Sequence, residues 1–291
     1  MTATRLTDIT TGLGESPVWS TMEQALYWVD IKGQAIHRLE PATGATATIP
    51  LPEQIGCLGL ARSGGFIAGL RSGLWRLSAD GRPVRMLAAN PENTACSRFN
   101  DGRADRAGRY WAGTLDEPKA GGQAHLYRFD HRGLTALVDG LLTSNGLAFS
   151  PDDRWLYHAD TPTFTVFRHP FDLAPGTLGP REPWIRLPSS APERGRPDGA
   201  AVDSRGRYWT ALYEGGRVQC YGSDGVLVAD YPVPARCPTM VAFGGPDLRT
   251  LFVTTARAGR PADELDRFPD SGGLFAIPVD VPGLPEPQAD L

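Results

Sequence analysis

The chain has 291 residues, 41% of them hydrophobic and 21% charged, the balance of a globular protein with a sizeable core, which excludes a disordered or fibrous one. A net charge of −4 with scattered Lys and Arg lacks the basic footprint of a nucleic-acid or anionic-membrane binder, so a small-molecule partner is expected. The 34 Gly and 26 Pro exclude a mainly helical chain and suit many short strands joined by tight turns.

From the N-terminus, "MTATRLTDITTGLGESP" has no apolar signal-peptide core. No later window approaches the roughly 18 apolar residues of a membrane span, so a cytoplasmic location without membrane contact is expected. Short β-type runs then follow one another: "ALYWVDI" from Ala25, "GLWRLS" from Gly73, "AHLYRF" from Ala124, "WLYHAD" from Trp155, "RVQCY" from Arg217 and "TLFVTTA" from Thr250. Turn chemistry bounds them, as in "EPATG", "SADGR", "DHRG", "SPDD", "DSRG" and "GSDG". Cys57, Cys96, Cys220 and Cys237 form no Cys-x-x-Cys pair and read as ordinary thiols.

The strands are also periodic on a longer scale. Units opening at Glu15, Gly56, Asn100, Asn145, Asp198 and Thr239 are spaced by 41, 44, 45, 53 and 41 residues. Four strands per 40 to 50 residues is the length of a propeller blade, so the expected fold is all-β: one six-bladed β-propeller domain over residues 1–291. The leftover "TRLTDIT" is expected to pair with strands around "GLFAIPVDV" and close the ring.

Each unit begins with a residue followed by a short apolar inner strand, so the six openers should surround one mouth of a central channel. Four of them are Glu15, Asn100, Asn145 and Asp198. Taken singly, Asn-Gly and Asp-Gly are common turn text; their recurrence at blade spacing makes a polar ring. Its carboxylate and amide oxygens are hard donors for one divalent cation, among calcium, magnesium, manganese, iron(II) and zinc. Without a cation, two carboxylates held close there repel and one tends to protonate.

"LGESPVW" around Glu15, "RFNDG" from Arg98, "YWAGT" from Tyr110, "SNGLAFSPD" around Asn145, "RPDGAAVDSRGRYWTA" around Asp198 and "TTARAG" from Thr254 fall in the order of one known family. Across essentially the whole length, the chain resembles the senescence marker protein/gluconolactonase family, which includes regucalcin and bacterial sugar lactonases. The resemblance implies a six-bladed propeller with one divalent metal in the channel and hydrolysis of a sugar (aldono-) lactone; a monomer acting on a pentono- or hexonolactone is expected. It places metal ligands at Glu15, Asn145 and Asp198, substrate contacts at Arg98 and Asn100, and the general base at Asp198. After "YWAGT" the loop "LDEPKAGGQ" departs from the family pattern; of its acids Asp116 and Glu117, Glu117 is assigned to substrate binding. The competing reading is a non-catalytic propeller that binds calcium or a protein, with the ring residues purely structural.

Other signals point elsewhere. "GLGESP" has Pro where a dinucleotide fingerprint needs Gly and lies in no βαβ unit, and no Gly-x-Ser-x-Gly elbow exists for a serine hydrolase. His158 reads as a structural histidine, Trp28, Trp75, Trp111, Trp155 and Trp209 as packing between blades, and Thr239 as a pocket wall. "RPADELDRFPDSGG" from Arg260 reads as a solvated loop.

Overall fold

The computed structural model describes residues 2–190 and 194–291. Its strands form six antiparallel sheets, each with one of the predicted openers on its innermost strand. The innermost strands are Gly14–Ser20, Ile55–Leu60, Ser97–Ala104, Ser144–Phe149, Arg196–Val202 and Cys237–Gly244, which define blades 1 to 6. Blade 6 takes its outermost strand from the N-terminus: Thr4 pairs with Ala276 and Arg5 with Phe275. The ring therefore closes through backbone hydrogen bonds between the two ends of the chain, which leaves no unpaired seam to open first.

No single core exists. Six apolar clusters instead lie one in each gap between neighbouring blades. Trp19, Trp28 and Phe252, for example, join blades 1 and 6, and Trp111, Phe149 and Phe171 join blades 3 and 4. Trp111 meets both Phe rings edge-on at 5.8 and 5.7 Å, the geometry that aromatic quadrupoles favour. The tryptophans thus pack between blades, as expected.

The recurring "DRAGRYW" and "DSRGRYW" have a physical cause. In blade 3 the fully buried Asp105 accepts hydrogen bonds from the backbone of Ala107 (2.9 Å) and Arg109 (3.1 Å), from Arg109 Nε (2.6 Å) and from Trp111 Nε1 (2.8 Å). In blade 5 Asp203 repeats the set with Arg205, Arg207 and Trp209. One carboxylate fixes the turn, the next strand and a core indole together. Gly is required three residues before the Trp that ends each motif because Gly108 and Gly206 have φ of 84° and 79°.

The C-terminal segment crosses the far ends of the inner strands. The Ala289 amide donates to Leu60 O (2.8 Å), Asp290 to Gly108 O (2.9 Å), and the Ser204 amide to Pro282 O (2.9 Å). The candidate site lies at the opposite mouth. The stretch from Arg260 is charged and largely exposed as expected, but it is not all loop: it includes a short helix, Ala262–Arg267, tied down by Arg260, which bonds Glu264 and reaches Glu214 at 2.9 Å. The opposite charges four residues apart fold this segment back onto itself.

At each ring position the pairing of the innermost strand with its neighbour slips: between Glu15 and Val18, Ile55 and Cys57, Phe99 and Gly102, Asn145 and Ala148, Pro197 and Ala200, and Pro238 and Met240. A bulge breaks the strict alternation of faces and re-aims a side chain, which turns the ring residues toward the channel. Gly56 is the exception that shows how tight the ring is. A Cβ there would sit 1.9 Å from the carbonyl oxygen of Phe99 in the next blade. Gly56→Ala should therefore destabilise the protein by about 1–3 kcal/mol; a denaturation midpoint equal to wild type would show that the inner strands can slide apart.

Candidate active site

The open mouth of the channel holds a cavity of about 210 Å³. Pockets for drug-sized ligands measure roughly 300–1,000 Å³, so this cavity suits a smaller molecule. Glu15, Asn100, Asn145 and Asp198 all line it, brought by blades 1, 3, 4 and 5. Residues two places earlier, Arg98 and Arg196 on the same strands and Leu13 and Thr143 just before theirs, line it as well. Alternate residues of a strand share a face, so the four inner strands build two stacked rings, one at the floor and one nearer the rim.

A chain of hydrogen bonds links the floor across blades. Arg98 Nη1 donates to Asn100 Oδ1 (2.8 Å), and Asn100 Nδ2 donates to Asn145 Oδ1 (2.8 Å). Asn145 Nδ2 in turn donates to Asp198 Oδ1 (2.6 Å) and to Thr161 Oγ1 (2.8 Å). Thr161 passes its own proton to the Pro197 carbonyl (2.8 Å), which fixes the direction of the chain and with it the orientation of the Asn145 amide. Glu15 accepts from the Ser16 amide at 3.1 Å; Ser16 itself has φ of 46°, part of the bulge that presents the carboxylate.

The electrostatics are those of anions short of compensation. Burial, and then the charges of Asp198 and Asp101, push the Glu15 carboxyl well above the usual carboxylate range. Burial and Asp101 do the same to Asp198, against the opposing pull of Arg196, Lys119 and Arg98. Asp101, beneath the floor and 4% exposed, is itself raised to about 6 by burial, even though it accepts the Leu147 amide at 2.9 Å. Arg98 is 6% exposed, and burial lowers its guanidinium to about 10.

These residues fit a divalent cation by the chemistry of their donors. Among the described residues no group of three or more His, Cys, Asp and Glu side chains is arranged to hold a metal, so a cation here would rest on amide oxygen as well as on Glu15 and Asp198. Asn145 Oδ1 accepts one hydrogen bond from Asn100 and keeps a second lone pair. Two enclosed carboxylates and an amide oxygen form a hard, doubly negative set, whose repulsion a dication would offset.

Glu117 is the departure. It does not line the cavity; its carboxylate pairs with Arg71 of blade 2, drawn there by the guanidinium. Lys119, two residues further along the same loop, lines the cavity instead. Thr239 does not line it either: the side chain is fully buried and donates to Gly14 O. His158 is structural as expected. It is fully buried against Ser144 Oγ (2.8 Å), and burial lowers it to about 3.

Sequence reading missed Lys119, Thr161, Arg196, Tyr213 and Glu214. Only Arg196 left a legible signal, since "RPDG" repeats the offset of "RFNDG" and sets an Arg two residues before the ring position. The others come from the ends of second strands and the loops after them, where no repeat carries over.

The family profile described as SMP-30/gluconolactonase/LRE-like region matches residues 13–257. A 6-deoxy-6-sulfogluconolactonase of Pseudomonas putida is 49% identical over 94% of this chain and 94% of its own. A pentonolactonase of Haloferax volcanii is 37% identical over 100% and 99%. Among solved structures, a calcium-binding protein, regucalcin, of Agrobacterium tumefaciens superposes with a TM-score of 0.92 at 29% identity, covering 99% of this chain and 97% of that one.

Proposed function

Because the chain belongs to the SMP-30/gluconolactonase/LRE-like family, we propose that it hydrolyses a pentono- or hexonolactone to the aldonic acid, with Asp198 as general base and a divalent cation held by Glu15, Asn145 and Asp198. Its similarity to lactonases over nearly its full length makes it a hydrolase acting on carboxylic ester bonds. The observation that carries the reading is the convergence of two enclosed carboxylates and two amides from four blades on the floor of one small cavity.

The roles follow from the hydrogen bonds. Asn145 occupies Asp198 Oδ1, so Oδ2 is the oxygen left to take a proton from a water attacking the lactone carbonyl carbon. The raised proton affinity of Asp198 belongs to the metal-free floor; a bound cation would lower it, so the base role rests on the position of the free oxygen. When the ring C–O bond breaks, the same oxygen can return that proton to the leaving alkoxide. Arg98 and Asn100, locked to each other at 2.8 Å, are placed to hold the sugar hydroxyls and orient the carbonyl. Bound divalent metal supplies Lewis-acid polarisation of the carbonyl and stabilises the developing oxyanion.

The reading is tested with a panel of pentono- and hexonolactones, followed by proton release, using protein stripped by chelator and re-supplied with single cations. Turnover that disappears on stripping and returns with one cation is expected. Background rates with every lactone and cation would leave a non-catalytic binding propeller.

A further inference from the structure

We propose that Glu214 is a specificity-determining residue: its carboxylate, with Arg196 beside it, accepts the proton of a hydroxyl at the end of the sugar lactone remote from the carbonyl. The preferred substrate therefore carries a free hydroxyl there. The inference rests on the lactonase reading, which puts the reacting carbonyl on the floor with Asp198. In a cavity of about 210 Å³ the far end of the sugar then reaches the rim.

Of the carboxylates that line the cavity, Glu15 and Asp198 belong to the floor, and Glu214 alone comes from the turn between strands Tyr208–Tyr213 and Arg217–Tyr221 of blade 5. The charged neighbours it has at the rim, Lys119 and Arg196, only donate hydrogen bonds. A sugar hydroxyl brought there needs an acceptor for its own proton, and Glu214 is the charged one.

The carboxylate is held still without being saturated. Arg260 Nη1 donates to Oε1 (2.9 Å) and Arg196 Nη2 pairs with Oε2 (2.8 Å). Each oxygen takes one guanidinium N–H and keeps a lone pair, and the side chain is still 23% exposed, enough to be reached from the cavity. Arg196 is fixed in turn, with its guanidinium 5.1 Å from the centre of the Tyr213 ring. Donor and acceptor thus stand side by side, which matches a hydroxyl that both gives and receives. The backbone points the same way. Glu214 has φ of 62°, in the left-handed region that Gly and Asn adopt most readily. Turn geometry by itself favours those residues, so it does not account for a glutamate; the groups around its carboxylate do.

The test pairs one variant with one missing hydroxyl. The faster of gluconolactone and xylonolactone is compared, in wild type and Glu214→Gln, with its own analogues lacking one of the hydroxyls remote from the carbonyl; the ring-opened acids are titrated calorimetrically alongside. In wild type one deoxy lactone should lose about 10- to 100-fold in kcat/KM, the worth of one hydrogen bond to a charged group. Glu214→Gln should cost the full lactone a similar factor, yet slow that deoxy lactone by less than about threefold, because the contact is already gone. Glu214→Asn, which suits a φ of 62°, should repeat the pattern and guards against a folding defect in Glu214→Gln. If Glu214 only bridges Arg196 and Arg260, both variants slow every lactone by the same factor; that result, or no change in either variant, overturns the proposal. Where nothing is turned over, the acids decide. The same pattern in Kd keeps the role of Glu214 and removes only the lactonase reading, whereas equal or absent binding overturns the subsite as well.

Discussion

Asp198→Asn should lower kcat/KM for the best lactone by about 10²–10⁴-fold, the range in which a positioned acid or base contributes. The substitution keeps the side-chain shape and the oxygen that accepts from Asn145 at 2.6 Å, while removing the one that takes the proton. Folding should not suffer. Asp198 is 6% exposed, and its charge is opposed by burial and by Asp101, so a neutral amide should leave the thermal midpoint equal or higher. Kinetics and melting measured on the same preparation separate the outcomes. Activity within about threefold of wild type would remove Asp198 from the base role, because an uncatalysed proton transfer cannot sustain that rate. Lost activity together with a lowered midpoint would point to a structural part instead.

Adding excess divalent cation to stripped wild-type protein should raise its stability by about 2.7 kcal/mol at a hundredfold excess over Kd, a shift of roughly 5–10 °C in midpoint. In Glu15→Gln most of that shift should vanish, since one of the two floor carboxylates is gone. The pH dependence of the stripped protein has a definite sign. Glu15 and Asp198 hold their protons more tightly folded than unfolded, where carboxyls titrate near 4. Between that value and their raised folded ones the native state binds more protons, so the part of stability set by these two groups is full below about pH 4 and falls as pH rises. Glu15→Gln should flatten this slope, and cation should abolish it in wild type. A stripped protein whose midpoint is unaffected by cations from pH 5 to 8 would remove the metal from the floor.

Much of the architecture is legible in the chain because a propeller is local. Each blade is a meander of neighbouring strands, so turn text such as "SADGR" and aromatic runs such as "WLYHAD" mark real strand boundaries, and the 41- to 53-residue spacing counts the blades. The ring residues Glu15, Asn100, Asn145 and Asp198 were readable for the same reason: a repeat puts equivalent positions on one circle. Even the pairing of Thr4–Arg5 with the last blade follows from counting strands.

Tertiary structure decided what repetition does not govern. The loop after Tyr110–Asp116 could carry either acid or cation into the cavity; Arg71, from another blade, takes Glu117, and Lys119 lines the rim in its place. The start of the exposed helix Ala262–Arg267 is anchored by Arg260 to Glu214, 46 residues away in sequence, a pairing that no local pattern encodes. The direction of the Asn145 amide likewise depends on Thr161 of its own blade and, through it, on the Pro197 carbonyl of the next. By itself the sequence determined the all-β repeat, the blade count and the polar ring, because short-range alternation and turns encode them. Only the tertiary structure decided the charge of the rim and the hydrogen-bond direction at the floor, because those are settled by partners that the chain brings together through ring closure.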